Sequence, residues 1–134
     1  MAFVVDNSVV VGWYFESQAT DYTDQVLDRL IGENAHVPGL WVLEFSNVLR
    51  KAKHAGKLDS ERAEEIIELV NGLPIAVDYT PANIADNLKL ATKYGLSSYD
   101  AAYLELAIRL RLPLATKDGA LVAAATRAGI AMVE

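Results

Sequence analysis

The sequence predicts a three-layer α/β/α fold, a parallel sheet of about five short strands with helices on both faces. Short apolar, β-prone runs alternate with longer segments whose apolar residues recur every three or four positions, as strands and amphipathic helices do. Runs that are apolar throughout, such as Ala2-Phe3-Val4-Val5, suit a sheet covered on both faces. Gly32, Gly56, Gly72, Gly95 and Gly129 each close a helical pattern ahead of an extended or polar piece, as helix-ending glycines do.

In order, a strand at Ala2–Val5 runs into a helix from about Asn7 to Phe15, and a second helix covers about Thr20 to Ile31. A short strand near Ala35–Val37 precedes a helix from Leu40 to Ala55, apolar at Trp41, Phe45, Val48, Leu49 and Ala52. Asp59 or Ser60 caps a helix reaching Val70, and Ile75–Val77 forms the third strand. Thr80-Pro81 reads as an N-cap followed by proline at the first helical position of a segment ending at Gly95. A helix from Ser98 to about Leu110, a strand at Pro113–Thr116, a helix from Gly119 to Arg127 and a last strand at Ile130–Val133 follow. No repeat, linker or low-complexity segment divides the chain, so residues 1–134 are expected to form a single domain.

Apolar residues at 52% and charged residues at 22% suit a folded globular protein. The absence of cysteine excludes disulfides and thiolate metal sites, and His36 and His54 cannot make a zinc site alone. The start Met-Ala-Phe-Val-Val-Asp lacks the basic-then-apolar pattern of a signal peptide, and no apolar run approaches the roughly 18 residues of a membrane helix. A soluble, cytoplasmic protein with no membrane partner is expected. The net charge of −6 opposes general nucleic-acid binding, so any such activity needs local positive charge or bound cations.

Four acids stand out. Asp6 ends the first strand and Asp118 follows the strand Pro-Leu-Ala-Thr by one lysine, so both fall at the carboxyl edge of the sheet, where α/β folds bind ligands. Either also suits a helix cap. Ser97 and Asp100 have the spacing of a capping box, yet Tyr103, Leu104 and Ala107 share the face of Asp100 and turn it toward packed structure. Glu44 has Leu40, Trp41, Asn47 and Val48 as helical neighbours, three of them apolar, so its charge needs a partner. An arginine from another helix, or a cation, would serve. Four carboxylates about 5 Å apart repel by roughly 3 kcal/mol per pair at an effective dielectric near 20, a cost that one or two cations offset. An all-oxygen donor set selects hard ions, Mg²⁺ or Mn²⁺.

The runs Val4-Val5-Asp6-Asn7-Ser8-Val9, Leu43-Glu44-Phe45-Ser46-Asn47-Val48-Leu49, Ser98-Tyr99-Asp100-Ala101-Ala102-Tyr103 and Leu114-Ala115-Thr116-Lys117-Asp118 resemble, in order and spacing, the PIN-domain family. The likeness spans essentially the whole chain and is greatest to the VapC-type toxins of toxin–antitoxin pairs. It implies a magnesium-dependent endoribonuclease acting on RNA, usually a homodimer, held inactive by a small antitoxin protein. It implies Asp6, Glu44, Asp100 and Asp118 as the catalytic cluster, with Asp6, Asp100 and Asp118 on the metal. Ser8, Asn47 and Thr116 match polar positions beside the cluster. Asn7 departs from the threonine, alanine or serine frequent after the first aspartate. Whether Glu44 ligates the cation or orients the attacking water is open at this point.

Arg50, Lys51, Lys53 and Lys57 make the end of the Glu44 helix locally positive, and Arg50, Lys51 and Lys53 are the candidate RNA contacts. The acidic stretch Asp59 to Glu68 can instead pair with them. A phosphoaspartate receiver wants adjacent acids after its first strand, and an Asp-x-Asp phosphatase a second acid where Ser8 stands, so both fall behind. The surviving alternatives are a non-catalytic PIN-like module that binds a protein partner and a nuclease acting on DNA.

Overall fold

Phe3, Val4 and Val5 are wholly excluded from solvent, which places their strand inside the sheet and not at its rim. The computed structural model describes residues 1–134. In it β1 (Ala2–Val5), β2 (Asn34–Pro38), β3 (Ile75–Asp78) and β4 (Leu114–Ala115) form a sheet in the order β3-β2-β1-β4, every pairing parallel. Val4 is the register point: it faces His36 of β2 on one side and Leu114 of β4 on the other. The fifth strand expected at Ile130–Val133 contracts to one bridge between Leu114 and Met132. Because β4 is two residues long, it offers Ala131 and Val133 just two ladder bonds, both through Leu114 at 2.9 Å.

Seven helices flank the sheet: α1 (Asn7–Tyr14), α2 (Asp21–Arg29), α3 (Leu40–His54), α4 (Ser60–Asn71), α5 (Ile84–Tyr94), α6 (Ser98–Leu110) and α7 (Gly119–Arg127). α1 stops at Tyr14, and a 3₁₀ turn at Glu16–Gln18 leads to α2. Thr20 caps α2 through the amide of Thr23, and Asp59, not Ser60, caps α4 by accepting from the Arg62 amide. The expected start of α5 is corrected. Thr80 donates its amide to Asp78 Oδ1, which turns the chain before any helix begins, and Asn83 is the residue that caps at 3.0 Å. Gly95 ends α5 in the left-handed region, a conformation that Arg111 also adopts after α6 at a cost glycine would not incur.

One apolar cluster runs from β1 through α6 and α7 to α3 and α4, and α6 lies against β1 and β2. No helix is long and apolar enough to cross a membrane. Gly12 sets the approach of α1 to α2. A Cβ there would stand 2.7 Å from Thr23 Cγ2 and 2.9 Å from the Gln18 carbonyl oxygen, and backbone cannot yield as a side-chain tip can. Gly12→Ala is therefore expected to cost about 1–3 kcal/mol despite alanine's better helix propensity. Urea denaturation reads this directly, and an unmoved midpoint would contradict the packing argument.

Candidate active site

β1 delivers Asp6 to the carboxyl edge of the sheet as the residue just before α1, yet its carboxylate makes no cap bond to that helix. Asp6 is 6% exposed, and its Oδ2 accepts two hydroxyl bonds, from Ser8 at 2.8 Å and Thr116 at 2.7 Å. Each hydroxyl accepts in turn: Ser8 Oγ from the Lys117 amide at 3.1 Å, Thr116 Oγ1 from the Asp118 amide at 3.0 Å. The end of β1 and the segment after β4 are thereby tied together around one carboxylate oxygen. Asp118 does cap α7, its Oδ1 accepting from the amides of Ala120 and Leu121 at 2.9 and 3.1 Å.

Asp100 stands in the first turn of α6. Ser97 Oγ accepts its amide at 3.1 Å, but the returning half of a capping box is not made, so the Asp100 carboxylate takes no part in capping. Glu44 is half-buried on α3 and has neither an arginine nor any other cationic side chain. Its Oε1 accepts the hydroxyl of Tyr103 at 2.6 Å, from a residue 59 positions away and fully buried. Sequence reading passed over Tyr103 as packing. The signal was there: a buried tyrosine hydroxyl needs an acceptor, and Tyr103 lies one turn beyond Asp100.

Electrostatically the four acids share one field and lack counter-charge. The ion pairs of the molecule join Arg29 to Glu33, Arg62 to Glu65, and Arg109 to Asp78 and Glu105. Lys117, the neighbour of Asp118, donates instead to the Gln18 carbonyl at 2.7 Å. Burial raises the Asp6 carboxyl above its ordinary value, the Thr116 and Ser8 hydroxyls and the Asn7 amide pull it back, and Asp118 adds a further push upward. Burial likewise raises Glu44, opposed by Tyr103 and reinforced by the charges of Asp6 and Asp100. Asp100 is raised by burial and by Asp118 and Asp6, with Ser97 opposing. Asp78 shows the opposite case: Arg109 draws it down to about 2.

A sign follows for stability. An acid whose folded pKa is raised stabilises the fold in its protonated form, a contribution present at low pH and lost as pH rises through that pKa. Acidifying the metal-free protein from neutral pH toward the ordinary carboxylate range is thus expected to stabilise it through Asp6, Glu44 and Asp100. Below that range Asp78 becomes protonated as pH falls toward 2 and its contribution is lost. Thermal melts from pH 7.5 to 3 should pass through a maximum on the acid side. A monotonic fall from neutrality would contradict the raised values.

Of the remaining expected residues, Asn47 stands one turn beyond Glu44 on α3, about 60° round the helix. Asn47 is exposed and accepts from Arg50 Nε at 3.2 Å. At 100° per residue, Arg50 and Lys53 fall on the opposite side of α3 from Glu44, where both line an apolar groove of about 760 Å³ between α3 and α4. Lys51 does share the face of Glu44, about 10 Å further along the helix.

The donor set suits a hard divalent cation: carboxylate oxygens with no thiolate, held by neutral hydroxyls and amides and balanced by no lysine or arginine. No three acidic or histidine side chains converge tightly enough to grip an ion unaided. A cation held by Asp6, Asp100 and Asp118 would need water for part of its shell, which magnesium readily keeps.

A parallel sheet with two acids beyond its strand ends and two more on α3 and α6, none paired with a cation, defines the class as an acidic-site α/β protein, and comparison supplies the family. The PIN domain family model matches residues 3–126, and the chain belongs to that family. It is 29% identical over 122 residues to Ribonuclease VapC3 of Pyrobaculum aerophilum, covering 88% of this chain and 90% of that protein. The crystal structure of PAE2754 from the same organism matches with a TM-score of 0.69 at 23% identity, over 92% of this chain and 84% of that one. VapBC2 of Rickettsia felis, solved with a DNA fragment from its promoter, matches at 0.70 and 13% identity, over 100% and 98%. FitAcB of Neisseria gonorrhoeae matches at 0.65 and 19%, over 100% and 97%.

Proposed function

We propose that this protein is a Mg²⁺- or Mn²⁺-dependent endoribonuclease, the toxin of a VapBC-type toxin–antitoxin pair, acting in the cytoplasm as a homodimer that a small antitoxin protein holds inactive. The observation that carries the reading is that Asp6, Glu44 and Asp118 each have one oxygen fixed by neutral donors while no cationic side chain balances their charge. Kinship with Ribonuclease VapC3 supports RNA as the substrate, and the VapBC2 neighbour supports the antitoxin.

In this reading Asp6, Asp100 and Asp118 hold the cation, directly or through water. When bound, the cation supplies a more acidic water and offsets charge on the phosphate. Ser8 and Thr116 fix Asp6 Oδ2 in advance, so the carboxylate need not reorganise when substrate arrives. Glu44, held at Oε1, is assigned to orient the attacking water and take its proton on Oε2; its raised proton affinity suits a base. Water attacks the phosphorus in line as the bond to the 3′-oxygen breaks; that oxygen takes a proton from solvent, and the products carry a 5′-phosphate and a 3′-hydroxyl. Lys51, on the Glu44 face of α3, is assigned to meet the substrate backbone.

The test is cleavage of a labelled structured RNA pool, with DNA in parallel, by wild type and folded Asp6→Asn and Asp100→Asn variants with and without Mg²⁺ or Mn²⁺. Metal-dependent RNA cleavage lost in both variants is the expected result. DNA cut in preference to RNA would transfer the reading to a deoxyribonuclease. Equal activity in all three proteins would sink the assignment of these acids.

A further inference from the structure

We infer that Tyr103 is a positioning residue for the reaction, its hydroxyl setting the orientation of Glu44 across the gap between α6 and α3. The inference rests on the nuclease reading above. Tyr103 has no solvent exposure, and its hydroxyl, which must find an acceptor once buried, makes its hydrogen bond to Glu44 Oε1. At 2.6 Å this bond has the length of a hydroxyl donating to an ionised carboxylate. Glu44 has no other side-chain partner, so Tyr103 decides which of its oxygens is tied and which, Oε2, is left without a side-chain donor. The bond also crosses between elements. α3 carries Glu44 and α6 carries Asp100, with Tyr103 one turn beyond Asp100, so one hydroxyl fixes the spacing of two acids that no other polar contact joins. Asp6 and Asp118 are held from within the β1 and β4 ends. Glu44 is the member held from a different helix, and rotation about its own bonds would otherwise take it out of line.

Tyr103→Phe removes the hydroxyl and keeps the ring, so two cycles with Glu44→Ala test the inference. In the metal-free protein, Tyr103→Phe should lower the folding constant by about tenfold or more beside Glu44, since it takes a hydrogen bond from a charged group. In the Glu44→Ala background the same change should be neutral or favourable, because the hydroxyl it deletes has lost its acceptor. In kinetics, Tyr103→Phe should lower kcat by about 10–100-fold with KM for RNA within twofold, and change nothing further beside Glu44→Ala. Equal effects of Tyr103→Phe in both backgrounds would show a packing role and overturn the inference. Coupling in stability with unchanged kcat would overturn it too, leaving a structural bond. Wild type inactive on every nucleic acid would sink the nuclease reading and this role with it, whereas an active wild type matched by Tyr103→Phe sinks the role alone.

Discussion

Asp6→Asn is expected to abolish cleavage and, at neutral pH without metal, to make the fold more stable. The two effects have one cause. Asp6 is buried against the end of β1, and burial together with the charge of Asp118 raises its proton affinity, so carrying a charge at pH 7 costs the folded state. Asparagine is isosteric and its carbonyl oxygen can accept the Ser8 and Thr116 hydroxyls, so the local geometry survives. The gain should be about 1 kcal/mol, or roughly 3–6 °C in the melting temperature of a chain this size. The loss is larger. A divalent ion contributes several kcal/mol of charge stabilisation, and a site deprived of a central anionic ligand should slow by about 10³-fold or more. An inactive variant with a lowered melting temperature would refute the electrostatic part. A stabilised variant that still cuts would refute the catalytic part.

Thr116→Val should damage both properties at once. The valine keeps the volume of a residue 4% exposed but removes a hydroxyl with two duties, donating to Asp6 Oδ2 and accepting from the Asp118 amide. The buried carboxylate then loses a charge-assisted bond and the amide loses its acceptor, for a combined cost of about 2–4 kcal/mol. Since domains are commonly stable by 5–15 kcal/mol, the variant should remain folded at 25 °C. Activity should fall about 10–100-fold, because Asp6 and Asp118 are oriented through this one oxygen. Thr116→Ser restores the donor and should recover most of both losses. Denaturant melts and cleavage rates for the pair separate the hydroxyl from the methyl group; a Thr116→Ser variant as impaired as Thr116→Val would show that packing and not the hydroxyl matters.

The fold was legible where one element explains itself. Ala2–Val5 is apolar on both faces, so its place inside a parallel sheet and the exit of Asp6 at its end follow from four residues. The last strand was not legible, because Ile130–Val133 has strand composition but meets a two-residue partner. Thr80-Pro81 has the pattern of an N-cap, but Thr80 gives its amide to Asp78 Oδ1 in a turn. The helix is capped three residues later by Asn83, which the pattern did not mark. Glu44 was marked by its apolar neighbours as needing a partner. That the partner is Tyr103 depends on a contact between α3 and α6 that helical periodicity cannot supply. The separation of Arg50 and Lys53 from Glu44, by contrast, was available from the 100° rotation alone.

The most direct test of the central claim, that these acids form a site for a divalent cation, is the melting temperature of wild type and Asp6→Asn as Mg²⁺ or Mn²⁺ is raised at pH 7.5. A ligand bound by the folded state alone stabilises it by about 2.7 kcal/mol at one hundred times its dissociation constant. Wild type should climb steadily with the logarithm of metal concentration, starting below Asp6→Asn and overtaking it, while the variant stays flat. A wild-type melting temperature indifferent to both ions, or the same rise in both proteins, would contradict the account.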